Sequence, residues 1–117
     1  MKLVDLLNSQ PVMSGLLQRK MPGKLAYAIS RNVRLADAEI ESYHVARIKL
    51  LSDNWKFNEK TQKYDISDED QPKWQAMHKE LVEVEVQVSP YMIDASMFDN
   101  VEVTPAEMVA IAWMIKE

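Results

Sequence analysis

The chain has 117 residues, 47% of them hydrophobic and 27% charged, with a formal net charge of −4 and no cysteine. That length leaves room for one domain, residues 1–117, and the balance is that of a globular chain rather than a disordered or fibrous one. The missing cysteines exclude disulfides and thiolate metal sites, so the core must rest on packing alone, and they favour a reducing compartment.

The opening run MKLVDLLNSQPV is interrupted by Asp5, Asn8 and Pro11, which reads as neither a signal peptide nor an anchor. Leu3, Leu6 and Leu7 form a short apolar cluster. Ser9 is expected to cap a helix with Pro11 in its first turn, burying Val12, Met13, Leu16 and Leu17. Arg19 and Lys20 fall in its expected last turn, where cations suit the helix dipole, and Met21-Pro22-Gly23 ends it.

From Lys24 to Asp53 there is no proline or glycine. Ile29, Ala36, Tyr43 and Leu50 recur every seven residues, with Val33 and Ile40 on the same face, which predicts one long amphipathic helix. About 30 residues rising about 1.5 Å each span roughly 45 Å. A compact chain of this size has a radius of gyration near about 13 Å. The helix must therefore bend, protrude, or pack on a second copy, and the face Ile29, Val33, Ala36, Ile40, Tyr43 and Leu50 is the expected self-association surface.

Trp55 and Phe57, then Tyr64 and Ile66, alternate with polar residues around a polar turn, the pattern of a hairpin or an ordered loop. Ser67 to Asp70 and Pro72 start a further helix through Trp74, Met77, His78 and Leu81, expected to run to about Glu83. Val84, Val86 and Val88 alternate with Glu85 and Gln87, a strand period, while Val84 and Val88 also continue the helical face of Trp74, Met77 and Leu81; the strand reading is preferred, paired with a second short one at Val101–Val103. Between them lies a loop with apolar anchors Met92, Ile93, Met97 and Phe98. The last helix is sharply marked: Thr104 as N-cap, Pro105 at N1 and Glu107 at N3 complete a capping box. Its expected inner face is Met108, Ile111, Ala112 and Ile115, widened by Val109 and Trp113. The whole is expected to be mainly α with a small β element (α+β).

No catalytic constellation is visible. The two histidines, His44 and His78, lie on different helices without a metal-binding spacing, so they read as packing residues although Glu41 or Glu80 could complete a site. Glu83, Glu85 and Glu102 read as a solvated sheet face rather than a tuned acid/base pair. Gly15 and Gly23 are the only glycines, too few for a phosphate loop. No cofactor and no metal are expected. No stretch reaches the roughly 18 apolar residues of a membrane span, so the expected compartment is cytoplasmic.

Residues 1–54 carry eight Lys/Arg against five Asp/Glu, and residues 55–117 carry six against thirteen. This polarisation permits head-to-tail or antiparallel self-association. Arg19, Lys20, Lys24, Arg31 and Arg34 form a basic cluster, but the acidic whole and sparse aromatic interleaving disfavour nucleic acid. Trp55, Met92 and Met97 sit in irregular segments and are the candidate partner surface.

The opening KLVDLLNSQPVMSGLLQRKMPGKLAYAISRNV and the ending VEVTPAEMVAIAWMIKE resemble a family of phage- and prophage-encoded proteins of unknown function. The resemblance implies a viral origin, hence the host cytoplasm or the virion, and carries no catalytic motif. The resulting expectation is a non-enzymatic protein acting through helix-mediated protein contact, a virion or assembly factor. The alternative is an inhibitor of a host nucleic-acid enzyme, its acids at Glu80, Glu83, Glu85, Asp94, Asp99 and Glu102 imitating phosphates.

Overall fold

A computed structural model describes residues 1–116. In chain order it contains α1 (Leu3–Leu16), α2 (Gly23–Asn54), β1 (Phe57–Asn58), β2 (Lys63–Tyr64), α3 (Gln71–Val82), β3 (Ile93–Asp94), a 3-10 turn (Ala95–Phe98), α4 (Pro105–Ala110), a second 3-10 turn (Ala112–Met114) and β4 (Ile115–Lys116). The architecture is mainly α with small β elements. β1 and β2 form an antiparallel hairpin, and β3 pairs in parallel with β4, Ile93 opposite Ile115.

The first helix starts earlier than the sequence predicts. The Asp5 carboxylate accepts from the Lys2 backbone N–H at 3.0 Å, a cap at the very start of the chain. Leu3, Leu6, Ser9, Met13 and Leu16 then share the buried face. Ser9 is no cap but a fully buried mid-helix residue whose Oγ accepts from Trp113 Nε1 at 3.0 Å. Pro11 lies inside α1 at an exposed position. Arg19 and Lys20 fall beyond its end rather than in its last turn.

α2 covers the predicted span with one more residue at each end. Its buried residues Leu25, Ala28, Ile29, Asn32 and Ala36 lie close together in its first half, followed only by Tyr43 and Leu51. The core therefore sits at one end, where α1, the start of α2 and the C-terminal segment bring together Leu6, Met13, Leu16, Leu25, Ile29, Ile93, Ile111 and Met114. Each such burial is worth about 1.5–3 kcal/mol. The second half of α2 protrudes, carrying α3 and the hairpin, and the molecule measures 50 × 29 × 23 Å with a radius of gyration of 17.4 Å. Protrusion is thus the resolution of the length problem within one chain.

Three β expectations need correction. Residues 84–88 do not pair with 101–103. Instead Leu3 N–H donates to the Val84 carbonyl and Val86 N–H to the Met1 carbonyl, both at 2.8 Å, a single antiparallel bridge to the N-terminus. Val101–Val103 is not a strand. The loop expected at 91–100 supplies β3, and β4 comes from the expected last helix. That helix is capped as predicted, Thr104 Oγ1 accepting from Glu107 N–H, but it stops after Ala110. Ile111 is buried as expected, whereas Ala112 and Val109 face solvent, Val109 at 77% exposure. Burying Met114 and pairing Ile115 with β3 wins over two further helical turns, which would leave that edge unpaired.

Candidate functional site

Lys24, Tyr27, Ala28 and Arg31 share one face of α2 at helical spacing. The segment after α3 crosses this face, and its path is set by Asn32. This asparagine is fully buried in the apolar seam of α2. Its Nδ2 donates to the Tyr91 carbonyl at 2.9 Å, and its Oδ1 accepts from the Tyr91 N–H at 2.7 Å. Two bonds to one peptide position lock the Tyr91 backbone, while Ile93 inserts into the core and β3–β4 pairing holds the next residues.

The locked segment presents its side chains outward. The rings of Tyr27 and Tyr91 meet edge to face at 6.1 Å. The Arg31 guanidinium lies 6.0 Å from the Tyr27 ring centre and 5.5 Å from that of Tyr91, and Arg31 Nη1 donates to the Tyr27 hydroxyl at 3.3 Å. Cation–π contacts of this kind orient the guanidinium without removing its charge. Tyr27 is 57%, Tyr91 45% and Met92 47% exposed. Together with Met97, Lys24 and Asp94 they border an open hollow of about 580 Å³.

Of the three residues expected to form a partner surface, Met92 and Met97 line this hollow. Trp55 does not. It caps the far end of α2, about 40 Å away at helical rise. There its ring packs edge to face on Trp74 at 6.2 Å and its Nε1 donates to Asp70 at 3.0 Å. Tyr27 and Tyr91 escape sequence reasoning, which places Arg31 only in a basic cluster with Arg19, Lys20, Lys24 and Arg34. The available clue is Asn32, a polar residue in the apolar column of Leu25, Ile29 and Ala36.

The face expected to self-associate is occupied over much of its length by the chain itself. Ile29, Ala36 and Tyr43 belong to the core, and Val33 and Ile40 pack half-buried against it. Leu50 is also half-buried. The exposed apolar residues of α2 are others: Tyr27, Leu35, Val45 and Ile48.

A second hollow, about 680 Å³, lies beside Arg19, Lys20, Met21, Pro22, Asn100 and Glu102. Arg19 is committed there to structure. Its two terminal nitrogens meet the Glu107 carboxylate at 2.8 and 2.6 Å, and Nη1 also donates to the Glu102 carbonyl. Arg19 above all, and then the Thr104 backbone N–H, hold the Glu107 carboxyl down at about 2, and the same pairing raises the Arg19 pKa.

The two histidines flank Tyr43. His78 Nε2 shares a 2.7 Å hydrogen bond with the Tyr43 hydroxyl, and the His44 ring lies 5.2 Å from the tyrosine ring. His78 thereby ties α3 to α2. Among the described residues no three metal-ligating side chains gather in one place, and no helix is long and apolar enough to cross a membrane. The chain is mainly helical and elongated, and it bears an open tyrosine–methionine hollow with Arg31 stacked against its two tyrosines. Comparison with protein-family models, with curated proteins and with solved structures finds no match.

Proposed function

We propose that this is a non-enzymatic, phage-encoded protein that works through helix-mediated contact with other proteins, as a virion or assembly factor. The observation that carries this reading is the Tyr27–Arg31–Tyr91 cluster, held in place by buried Asn32 yet left open to solvent beside two methionines. Tyrosine, arginine and methionine are the residue types enriched at protein interfaces. A side chain already fixed before binding loses little entropy on contact, so such a cluster suits an anchor. The methionines let the hollow adapt its shape to the residue it receives.

Pull-down from infected host extract with the wild-type chain and with Arg31→Ala/Tyr91→Ala tests the reading. Capsid, tail or assembly components retained by the wild type and lost by the variant are the expected result. A host nuclease retained in their place favours the inhibitor alternative. Identical sets retained by both proteins overturn the assignment of the hollow.

A further inference from the structure

We infer that the hollow takes an acidic peptide segment: an apolar side chain of the partner enters beside Tyr27, Tyr91, Met92 and Met97, and a neighbouring carboxylate is received by Arg31. The inference rests on the reading of the hollow as a contact site and names the chemistry of what it contacts. A guanidinium carries five N–H donors. Among the described residues the one acceptor that Arg31 meets is the Tyr27 hydroxyl at 3.3 Å, and no carboxylate lies within ion-pair distance of it. Its contacts with the two tyrosine rings orient the remaining donors before any partner arrives. Arg19 shows what an arginine of this chain does where a carboxylate is at hand: Glu107 meets both of its terminal nitrogens, at 2.8 and 2.6 Å. Arg31 offers the same fork and lacks only the acid.

Charge selects the partner. The first twelve residues of α2 carry Lys24, Arg31 and Arg34 and no acid. At spacings of seven and three these exposed cations share one side of the helix with Tyr27, and none of them is ion-paired among the described residues. Asp94 is the one acid on the lining of the hollow, offset there by Lys24. A cationic guest is disfavoured, because the two rings already hold a cation. A nucleic-acid strand is disfavoured by the net charge of −4, since its binding needs many cations along the phosphates. Lys24 and Arg31 stand about 10 Å apart along the axis at helical rise, the length of about three residues of extended chain. A peptide laid along this face therefore carries its acids within about three residues of its apolar anchor.

Selection of random linear dodecapeptides from a display library against the full chain tests the inference. Enriched peptides should carry Asp or Glu within about three residues of a large apolar side chain. Capped synthetic copies with Gln and Asn in place of Glu and Asp should bind about three- to tenfold more weakly in an anisotropy titration. Arg31→Gln should bind both forms alike, with an unchanged circular dichroism spectrum. Arg31→Lys, which keeps the charge but not the fork, should recover little of the difference. Lys60→Gln removes an exposed cation from the hairpin turn and should bind as the wild type does. No enrichment, enriched peptides without acids, or an acid preference that survives Arg31→Gln overturns the inference. So does an oligouridine strand held more tightly than the peptides and released by Arg31→Gln. Partners from infected extract that Arg31→Ala/Tyr91→Ala loses, but that the acidic peptides do not displace, overturn the inference alone. Acidic peptides bound through Arg31, with identical sets retained by the wild type and the double variant, overturn the hollow as the partner site alone.

Discussion

Asn32 is a buried polar side chain whose amide meets the N–H and carbonyl of a peptide 59 positions away, and it also approaches the Met114 sulfur at 3.3 Å. Burying an amide is costly unless it is fully hydrogen-bonded. Its presence marks a place where the chain needs a backbone held rather than apolar volume filled. Asn32→Ala strands the two backbone groups of Tyr91 and should lower stability by about 2–3 kcal/mol, read from denaturant unfolding. Glu107 makes a second residue-scale prediction. Its folded-state pKa, about 2, lies below the ordinary 4.5, so its ionised form is favoured by folding. The resulting stabilisation is fully present above pH 4.5 and is lost as pH falls through about 2. Wild type should exceed Glu107→Gln in thermal stability at neutral pH, and the gap should close across that acidic window. A gap that persists unchanged at the acidic end would mean that the Arg19 pair is not its source.

Of the three longer helices, α1, α2 and α3, the last is the least supported. None of its residues is fully buried; Trp74, Met77, His78 and Leu81 are half-buried, and the Tyr43–His78 hydrogen bond ties it to α2. Elements with few buried contacts open at lower free energy than the rest of a fold. Amides of residues 71–82 should therefore exchange with solvent faster than those of 25–36, measured by hydrogen exchange. Tyr43→Phe removes the shared hydrogen bond and should cost about 1 kcal/mol, with faster exchange confined mainly to α3. Uniform acceleration over the whole chain would instead mean that α2 and α3 open as one unit. α1 illustrates the opposite balance. It tolerates Pro11 in its interior because apolar residues on both sides of the proline anchor the helix to the core.

For the molecule as a whole, shape follows from the mismatch between one helix of 32 residues and a core that occupies only one of its ends. The radius of gyration, 17.4 Å, exceeds the compact expectation of about 13 Å. Small-angle scattering at low concentration should return the larger value.

Local interactions are legible in the chain by itself. The capping box at Thr104 and Glu107, the uninterrupted span of α2 and the hairpin around residues 57–64 all arise from contacts within a few residues, where periodicity and turn chemistry act. What the sequence hides are meetings of distant segments: Arg19 with Glu107, Trp113 with Ser9, Asn32 with Tyr91, and residues 84–86 with the first three. Strands two residues long carry no alternation to read, so β3 and β4 exist only through each other. The hollow is of the same kind, since Lys24 and Tyr27 come from α2 and Tyr91, Met92 and Met97 from the segment Asn32 folds over them. The sequence alone determined that α2 is long and amphipathic. Only the tertiary structure decided which of its faces the core consumes and which it leaves open, because that depends on where the other elements dock.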